Sequence, residues 1–188
     1  MLFKKKEISD EDKLNEAIEA MRTGSAEAFH ILYNNYAQKV YRFCLRMLGD
    51  TENAQDAFQE TFIRVYENRM SFHGNNFAAW VFTIARNTCL NFIRGRRDQE
   101  SFDEVFHSND FGDDRSDLGM KNQIEKAIAT LPLPLKEALI LREYEDFSYQ
   151  EIADTLAIDL SLAKVRVHRA RLILRKLLKP LVKELNES

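Results

Sequence analysis

The sequence predicts an all-α protein: two small helical domains joined by an acidic linker, with the C-terminal domain a helix-turn-helix. Three observations predict it. Apolar residues recur three and four positions apart through successive segments, while the two-residue alternation of half-buried strands is scarce. Only six Gly and three Pro interrupt 188 residues, a composition of ordinary helical globular proteins. Between Asp98 and Gly119, the acids Asp98, Glu100, Asp103, Glu104, Asp110, Asp113, Asp114 and Asp117 face Arg115 alone, which reads as a solvated connector. The expected division is 1–97, a linker at 98–119, and 120–188, lengths at which two small domains can each bury a modest core.

The first helical segment runs from Ser25 to Leu48. Phe29, Leu32, Tyr33, Tyr36, Val40, Phe43, Cys44, Met47 and Leu48 share one face, and Gly49 ends it. Asp50 then suits the N-cap of a second helix through "TENAQDAFQETFIRVYEN", because its carboxylate can accept first-turn amides and complements the positive end of the helix dipole, with Glu52 adding to the effect. A break at "MSFHGNNF" precedes a third helix, about Ala78 to Arg97, that ends in Arg94, Arg96 and Arg97.

Beyond the linker, "KNQIEKAIATL" forms a short helix. Two prolines in "LPLPLKEALILREYED" suit a turn followed by a first helical turn. Ser148 and Glu151 in "SYQE" form a capping box at the start of "YQEIADTLA". The turn "IDLS" leads into "SLAKVRVHRARLILRK", so the chain closes on helix, tight turn and long basic helix.

In that last helix, Ala163, Val167, Ala170, Leu174, Leu177 and Leu181 make an apolar stripe. Each large aliphatic member contributes about 1.5 to 3 kcal/mol on burial, so the stripe orients the helix. Opposite it lie Ser161, Lys164, Val165, His168 and Arg169. Cationic and hydroxyl groups that meet base edges and phosphates, and an apolar group for a thymine methyl, are what a recognition helix carries at its N-terminal end. A merely solvated face mixes signs, yet Leu160 to Lys183 holds eight Lys or Arg and no Asp or Glu.

Other function classes find less support. Cys44 and Cys89 are far apart in apolar helical sequence, which argues against a disulfide framework and a CxxC site and fits a reducing cytoplasm. No run approaches the ~18 apolar residues of a membrane span, and "MLFKKKEISDEDK" lacks a signal-peptide core. His30, His73, His107 and His168 are scattered, with no phosphate-cradling glycine loop or nucleophile elbow, so an enzyme is disfavoured.

Taken together, "AFHILYNNYAQKVYRFCLRMLGD", "AQDAFQETFIRVYEN", "FAAWVFTIARNTCLNFIRGRR", "LPLPLKEALILREYEDFSYQEIADTLA" and "KVRVHRAR" resemble, in order and spacing, regions 2 and 4 of the extracytoplasmic function (ECF) sigma factors. That family directs bacterial RNA polymerase to promoters. The resemblance implies that Glu52, Asp56, Gln59, Glu60 and Ile63 dock on core polymerase, while Ala54, Phe58, Thr61 and Val65 face the domain core. It implies that the loop Phe72, Gly74, Asn75, Asn76 and Phe77 captures an unstacked base at the minus 10 element. Either Asn could read its edge, Phe72 and Phe77 could stack on it, and Trp80 serves the core. Asn87, Asn91, Arg94, Arg96 and Arg97, beside Thr83, extend that contact along the third helix, the arginines to phosphate. Arg142, Ser161, Lys164, Val165, Arg166, His168 and Arg169 fall on the minus 35 reading end, with Arg171, Arg175 and Lys176 directed to phosphate or water.

The pattern departs from the family at four places. Ala157 and Asp159 stand where Gly and Pro are common, Ser161 and Leu162 replace a Gly-Thr pair, and Val165 replaces a small polar residue. The linker corresponds to a connector that threads toward the RNA exit path, and Phe102, Val105, Phe106 and Phe111 offer it contacts. The expected partners are core RNA polymerase, promoter DNA and an anti-sigma factor. No cofactor, metal, small-molecule substrate or membrane insertion is expected, and the expected location is the cytoplasm. The rival reading is a stand-alone helix-turn-helix regulator, which binds duplex by itself, usually as a dimer on paired half-sites.

Overall fold

The computed structural model describes residues 10–74, 76–100 and 117–180. They form α1 (Asp10–Arg22), α2 (Ala26–Leu48), α3 (Thr51–Glu67), a 3-10 turn (Arg69–Ser71), α4 (Phe77–Glu100), α5 (Asp117–Ala129), α6 (Leu133–Glu143), α7 (Tyr149–Leu156) and α8 (Leu160–Leu177). Helix thus extends to Glu100 and resumes at Asp117, trimming both ends of the expected linker. The connector aromatics Phe102, Val105, Phe106 and Phe111 lie outside the described residues.

α2 organises the first half. Its buried residues Leu32, Tyr36, Val40, Phe43, Cys44 and Met47 follow the expected spacing, and α1, α3 and α4 all pack against it. Phe43 meets Phe82 of α4 edge to face, with centroids 5.4 Å apart, a geometry that sets the rings' opposite edge and face potentials together. Cys44 and Cys89 are buried free thiols in this core. The segment 10–22 was not anticipated as a helix, although Leu14, Ala17, Ile18 and Met21 have its spacing. Ala17, Ile18 and Met21 are buried against α2.

The helix ends form as their residues dictate. The Ser25 hydroxyl accepts from Ala28 N at 3.2 Å, Asp50 accepts from Asn53 N at 3.0 Å, and Gly49 ends α2 at φ 76°. Ser148 and Glu151 make both bonds of the capping box at the start of α7. Ala157 ends α7 at φ 52° and ψ 52°, a left-handed conformation that presses Cβ toward the next carbonyl. This is the position where the sequence lacks the expected glycine. α6, α7 and α8 pack on one another around Leu139, Ile152, Leu156, Ala163, Val167 and Ala170.

The two halves meet along α2 and α4 on one side and α6 and α7 on the other. Phe82 and Phe147 meet there with centroids 5.1 Å apart, and Arg46 lies over the Tyr144 ring at 3.7 Å. Polar groups join them. Buried Lys136 donates to the Met47 carbonyl at 3.0 Å, and burial holds its ammonium below the usual lysine range against a smaller opposing pull from Cys89. Arg86 of α4 forks onto Glu137 of α6 at 2.7 and 3.2 Å.

Buried Glu145 leaves Oε2 without a hydrogen-bond partner. Burial pushes its carboxyl up to about 7, while the nearby charges of Arg46, Lys39 and Arg42 pull it down.

Two stability outcomes follow from these positions. Ala157→Gly relieves the left-handed strain and should raise unfolding free energy by about 1 kcal/mol in urea titration; a neutral or destabilising result contradicts the strain. Glu145 keeps its proton in the folded state to about pH 7, but loses it above about 4.5 when unfolded. The folded state therefore binds more protons between those values, and the stability this group contributes falls as pH rises through them. Glu145→Gln should remove that fall, gaining on the parent by on the order of 1 to 3 kcal/mol more at pH 8 than at pH 4. A parent-to-variant gap independent of pH contradicts the assignment.

Candidate nucleic-acid interface

On α8, the seam Ala163, Val167 and Ala170 is fully buried. Leu174 is half-buried and Leu177 is 47% exposed, so the expected stripe orients only the first part of the helix; Leu181 lies outside the described residues. Opposite it, Ser161, Lys164, Val165, His168 and Arg169 are all exposed together. The sequence predicts that these five face outward together, and they do.

Two other basic residues expected there are turned inward. Arg166 donates to Glu137 Oε1 at 3.3 Å, with 19% of its side chain exposed. Arg142 donates to the Phe147 carbonyl at 2.7 Å and lies over the Tyr149 ring, which ties down the turn before α7. The folded chain already uses both guanidinium groups. Arg171 likewise pairs with Glu143 at 2.5 Å, while Arg175 and Lys176 are exposed.

Along α4, Asn87, Asn91 and Arg94 point to solvent. Thr83 is half-buried and donates its hydroxyl to the Ala79 carbonyl at 2.8 Å. Arg96 departs from the expected face, because it pairs with the Asp50 carboxylate and reaches the Leu48 carbonyl. Burial raises the Asp50 carboxyl, but hydrogen bonds from Asn53 and the charge of Arg96 outweigh it and hold the group below its usual range. Arg96 thereby fastens α4 to the α2–α3 corner. The side chain of Arg97 lies outside the described residues.

The loop before α4 corrects one expectation. Phe72 and Phe77 are 5% and 3% exposed, so neither ring offers a face for a base to stack on in this arrangement. Their centroids lie 5.4 Å apart, each ring also packs on Trp80, and Phe77 meets Tyr36. Ring burial removes more apolar surface from water than an exposed platform does, and the core takes both. Trp80 packs against that core, as expected. His73 and Gly74 are exposed at the loop, and Asn75 lies outside the described residues.

Asn76 joins two helix starts. Its side-chain oxygen accepts from Ala79 N at 2.9 Å and caps α4, while its amide nitrogen donates to Glu151 Oε1 at 2.7 Å. The other oxygen of Glu151 accepts from Ser148 N at 2.7 Å in the capping box of α7. Burial raises the Glu151 carboxyl, but bonds from Ser148 and Asn76 prevail and hold it below its usual range. One Asn–Glu pair thus pins the loop to the helix-turn-helix.

On α3, Ala54, Thr61 and Val65 are buried as expected, Phe58 is partly so, and Ala57 and Phe62 join them. Glu52, Asp56, Gln59 and Ile63 are exposed, and Glu60 is half-buried in a 2.7 Å pair with Arg64. Beside this face runs an apolar groove of about 640 Å³ lined by Phe29, Tyr33, Phe58, Phe62, Ile63 and Tyr66. Phe29 and Tyr33, read as core from their spacing, are half-buried in its wall.

The sequence reading missed Arg86, Lys136, Glu137 and Glu145, which build the seam between the halves. A signal exists in α6. Lys136 and Glu137 sit three and four residues after Leu133 and immediately before the buried Ala138–Leu141 run, so a charged pair occupies what the period assigns to an apolar face.

Among the described residues, no helix is long and apolar enough to cross a membrane.

Comparison with known proteins agrees with this layout. Residues 32–99 match the family Sigma-70 region 2, and residues 121–174 match Sigma-70, region 4. The chain is 32% identical over 182 residues to the RNA polymerase sigma-H factor of Pseudomonas aeruginosa, covering 89% of this chain and 94% of that protein. It is 30% identical over 183 residues to the ECF RNA polymerase sigma factor SigW of Bacillus subtilis, covering 89% and 98%. Among solved structures, the sigma factor RpoE in complex with the anti-sigma factor NepR from Bartonella quintana superimposes with a TM-score of 0.74 at 26% identity, over 82% of this chain and 98% of that one.

Proposed function

We propose, on the premise that this chain belongs to the ECF RNA polymerase sigma factors of the sigma-70 family, a division of labour among its surfaces. The chain binds core RNA polymerase and directs promoter-specific transcription initiation. It works by binding rather than by turnover, and in the cytoplasm. The exposed α3 residues Glu52, Asp56, Gln59 and Ile63, with Glu60, engage polymerase. Gly74 and Asn75 hold the minus 10 strand, with Asn76 committed to the α4 cap and Glu151, while Asn87, Asn91 and Arg94 track its backbone with Arg97. Ser161, Lys164, Val165, His168 and Arg169 read the minus 35 duplex. An anti-sigma factor of the kind bound to the Bartonella quintana relative controls access to these surfaces.

The observation that carries the reading is the five-residue face of α8. It is exposed as a unit at the N-terminal end of a helix fixed by a buried seam, and the helix has no acidic residue. That end is the part of a helix-turn-helix that enters the major groove. The direct test is reconstitution with bacterial core polymerase on a genomic promoter library, followed by sequencing of transcript starts. Initiation clustered at a shared sequence pair supports the function. Nanomolar, sequence-specific duplex binding without polymerase instead favours a stand-alone regulator.

Two substitutions separate the surfaces. Lys164→Ala or Arg169→Ala should lower holoenzyme discrimination at the minus 35 element by about 1 to 3 kcal/mol, measured by competition against substituted promoters; unchanged discrimination in both removes them from the reading face. Asp56→Ala should weaken capture of core polymerase several-fold in a binding titration and leave the minus 35 sequence preference intact. Parental polymerase affinity contradicts the docking face.

A further inference from the structure

Two aliphatic side chains stand exposed at the N-terminal end of α8, Leu162 at 40% and Val165 at 41%. Single exposed apolar residues are ordinary on protein surfaces. These two are neighbours, because residues three apart on a helix bring their Cβ atoms to about 5 to 6 Å. Val165 sits at the centre of the outward face: Ser161 and Leu162 lie one turn before it and His168 and Arg169 one turn after, all exposed. The buried seam Ala163, Val167 and Ala170 fixes the other side of the helix, so no rotation of α8 can hide the pair without exposing the seam.

The chemistry around the pair is one-sided. In the major groove G offers two acceptors, C an amino donor, A one of each, and T an acceptor with a C5-methyl group. The amino groups of A and C are read best by a carboxylate or carboxamide, and α8 contains no Asp, Glu, Asn or Gln; Asp159 stands outside it at the N-cap. Lys164 and Arg169 supply donors, which suit the acceptors of G and equally the O4 of T. The methyl is what remains to tell T from the rest, and Leu162 and Val165 are the groups to meet it. Contact with a methyl takes apolar surface of both partners out of water, whereas an aliphatic side chain pressed on a polar base edge strips that edge of water and returns no hydrogen bond. A protein partner fits less well, since protein interfaces keep charge away from their apolar centre, while here cations border the pair and suit a polyanion.

We propose that Leu162 and Val165 read the C5-methyl group of thymine in the minus 35 duplex, so that this chain selects at least one A·T pair there by its methyl. The proposal rests on the sigma-factor reading above and adds Leu162 to the residues that face DNA. Successive bases of a strand lie about 3.4 Å apart along the duplex axis, so a pair of side chains at this spacing covers one base pair or two adjacent ones.

The test removes the methyl alone. Transcript starts mapped with reconstituted holoenzyme locate the minus 35 element, and each thymine on either strand is then replaced by deoxyuridine, which keeps every hydrogen-bonding group. Holoenzyme affinity, measured by competition, should fall about fourfold at one position or two adjacent ones, the factor equivalent to about 0.8 kcal/mol for one methyl-sized group withdrawn from water. Leu162→Ala and Val165→Ala change exposed side chains and leave the buried seam in place. At least one of them should bind the thymine and deoxyuridine promoters equally.

Deoxyuridine that binds as well as thymine at every position overturns the proposal, as does a minus 35 element without an A·T pair. A fourfold loss that persists in both alanine variants assigns the methyl to another residue and overturns it too. If the start sites share no sequence pair, the sigma-factor reading fails and takes the proposal with it, an outcome distinct from a located element that ignores the methyl.

Discussion

Glu137 is the group on which the arrangement of the two halves depends. Its carboxylate has 3% of its side chain exposed and accepts Arg86 from one half and Arg166 from the other. A fork from Arg86 and a single N–H from Arg166 satisfy lone pairs of this buried carboxylate, which is the condition for a buried charge to be tolerated. Removing the carboxylate leaves two partly buried cations facing each other. Because α6 presents Lys136 beside it to the end of α2, adjacent residues of one helix fasten it to both principal helices of the first half.

The seam and the outward face of α8 share a single piece of geometry. The buried Ala163, Val167 and Ala170 set the rotation of α8, and that rotation turns Arg166 toward Glu137 while Ser161, Lys164, Val165, His168 and Arg169 face outward. Small residues at two of the three seam positions let α8 lie close to its neighbours. A bulky substitution at Ala163 would tilt both the Arg166–Glu137 pair and the outward face of α8, so the two cannot be altered wholly independently at that site.

The helices and caps were largely legible in the sequence because they rest on local rules. The periodic stripe of α2, the Ser25 and Asp50 caps, Gly49 and the Ser148–Glu151 box all appear where residue type and spacing place them. The outward face of α8 was legible for the same reason. Side chains whose role depends on a distant partner were not. Arg96 reads as part of a basic cluster until Asp50 is seen beside it. Phe72 and Phe77 read as a stacking platform until the core takes them, and Arg166 reads as a DNA contact until Glu137 does. α1 was missed despite its periodicity, since its acidic, polar surface hides three buried residues. The left-handed Ala157 shows the converse: a departure from the family pattern noted in the sequence becomes a backbone geometry in the fold.

The most direct measurement of the claim that Glu137 couples the halves is a double-mutant cycle on Arg86→Ala and Glu137→Ala, read by equilibrium denaturation of the full chain. The two residues belong to different halves and meet only across the seam, at 2.7 and 3.2 Å. A coupling energy of about 1 to 3 kcal/mol is the result expected for a largely buried, hydrogen-bonded pair. Effects that add to within about 0.5 kcal/mol, the behaviour of independent sites, would contradict it.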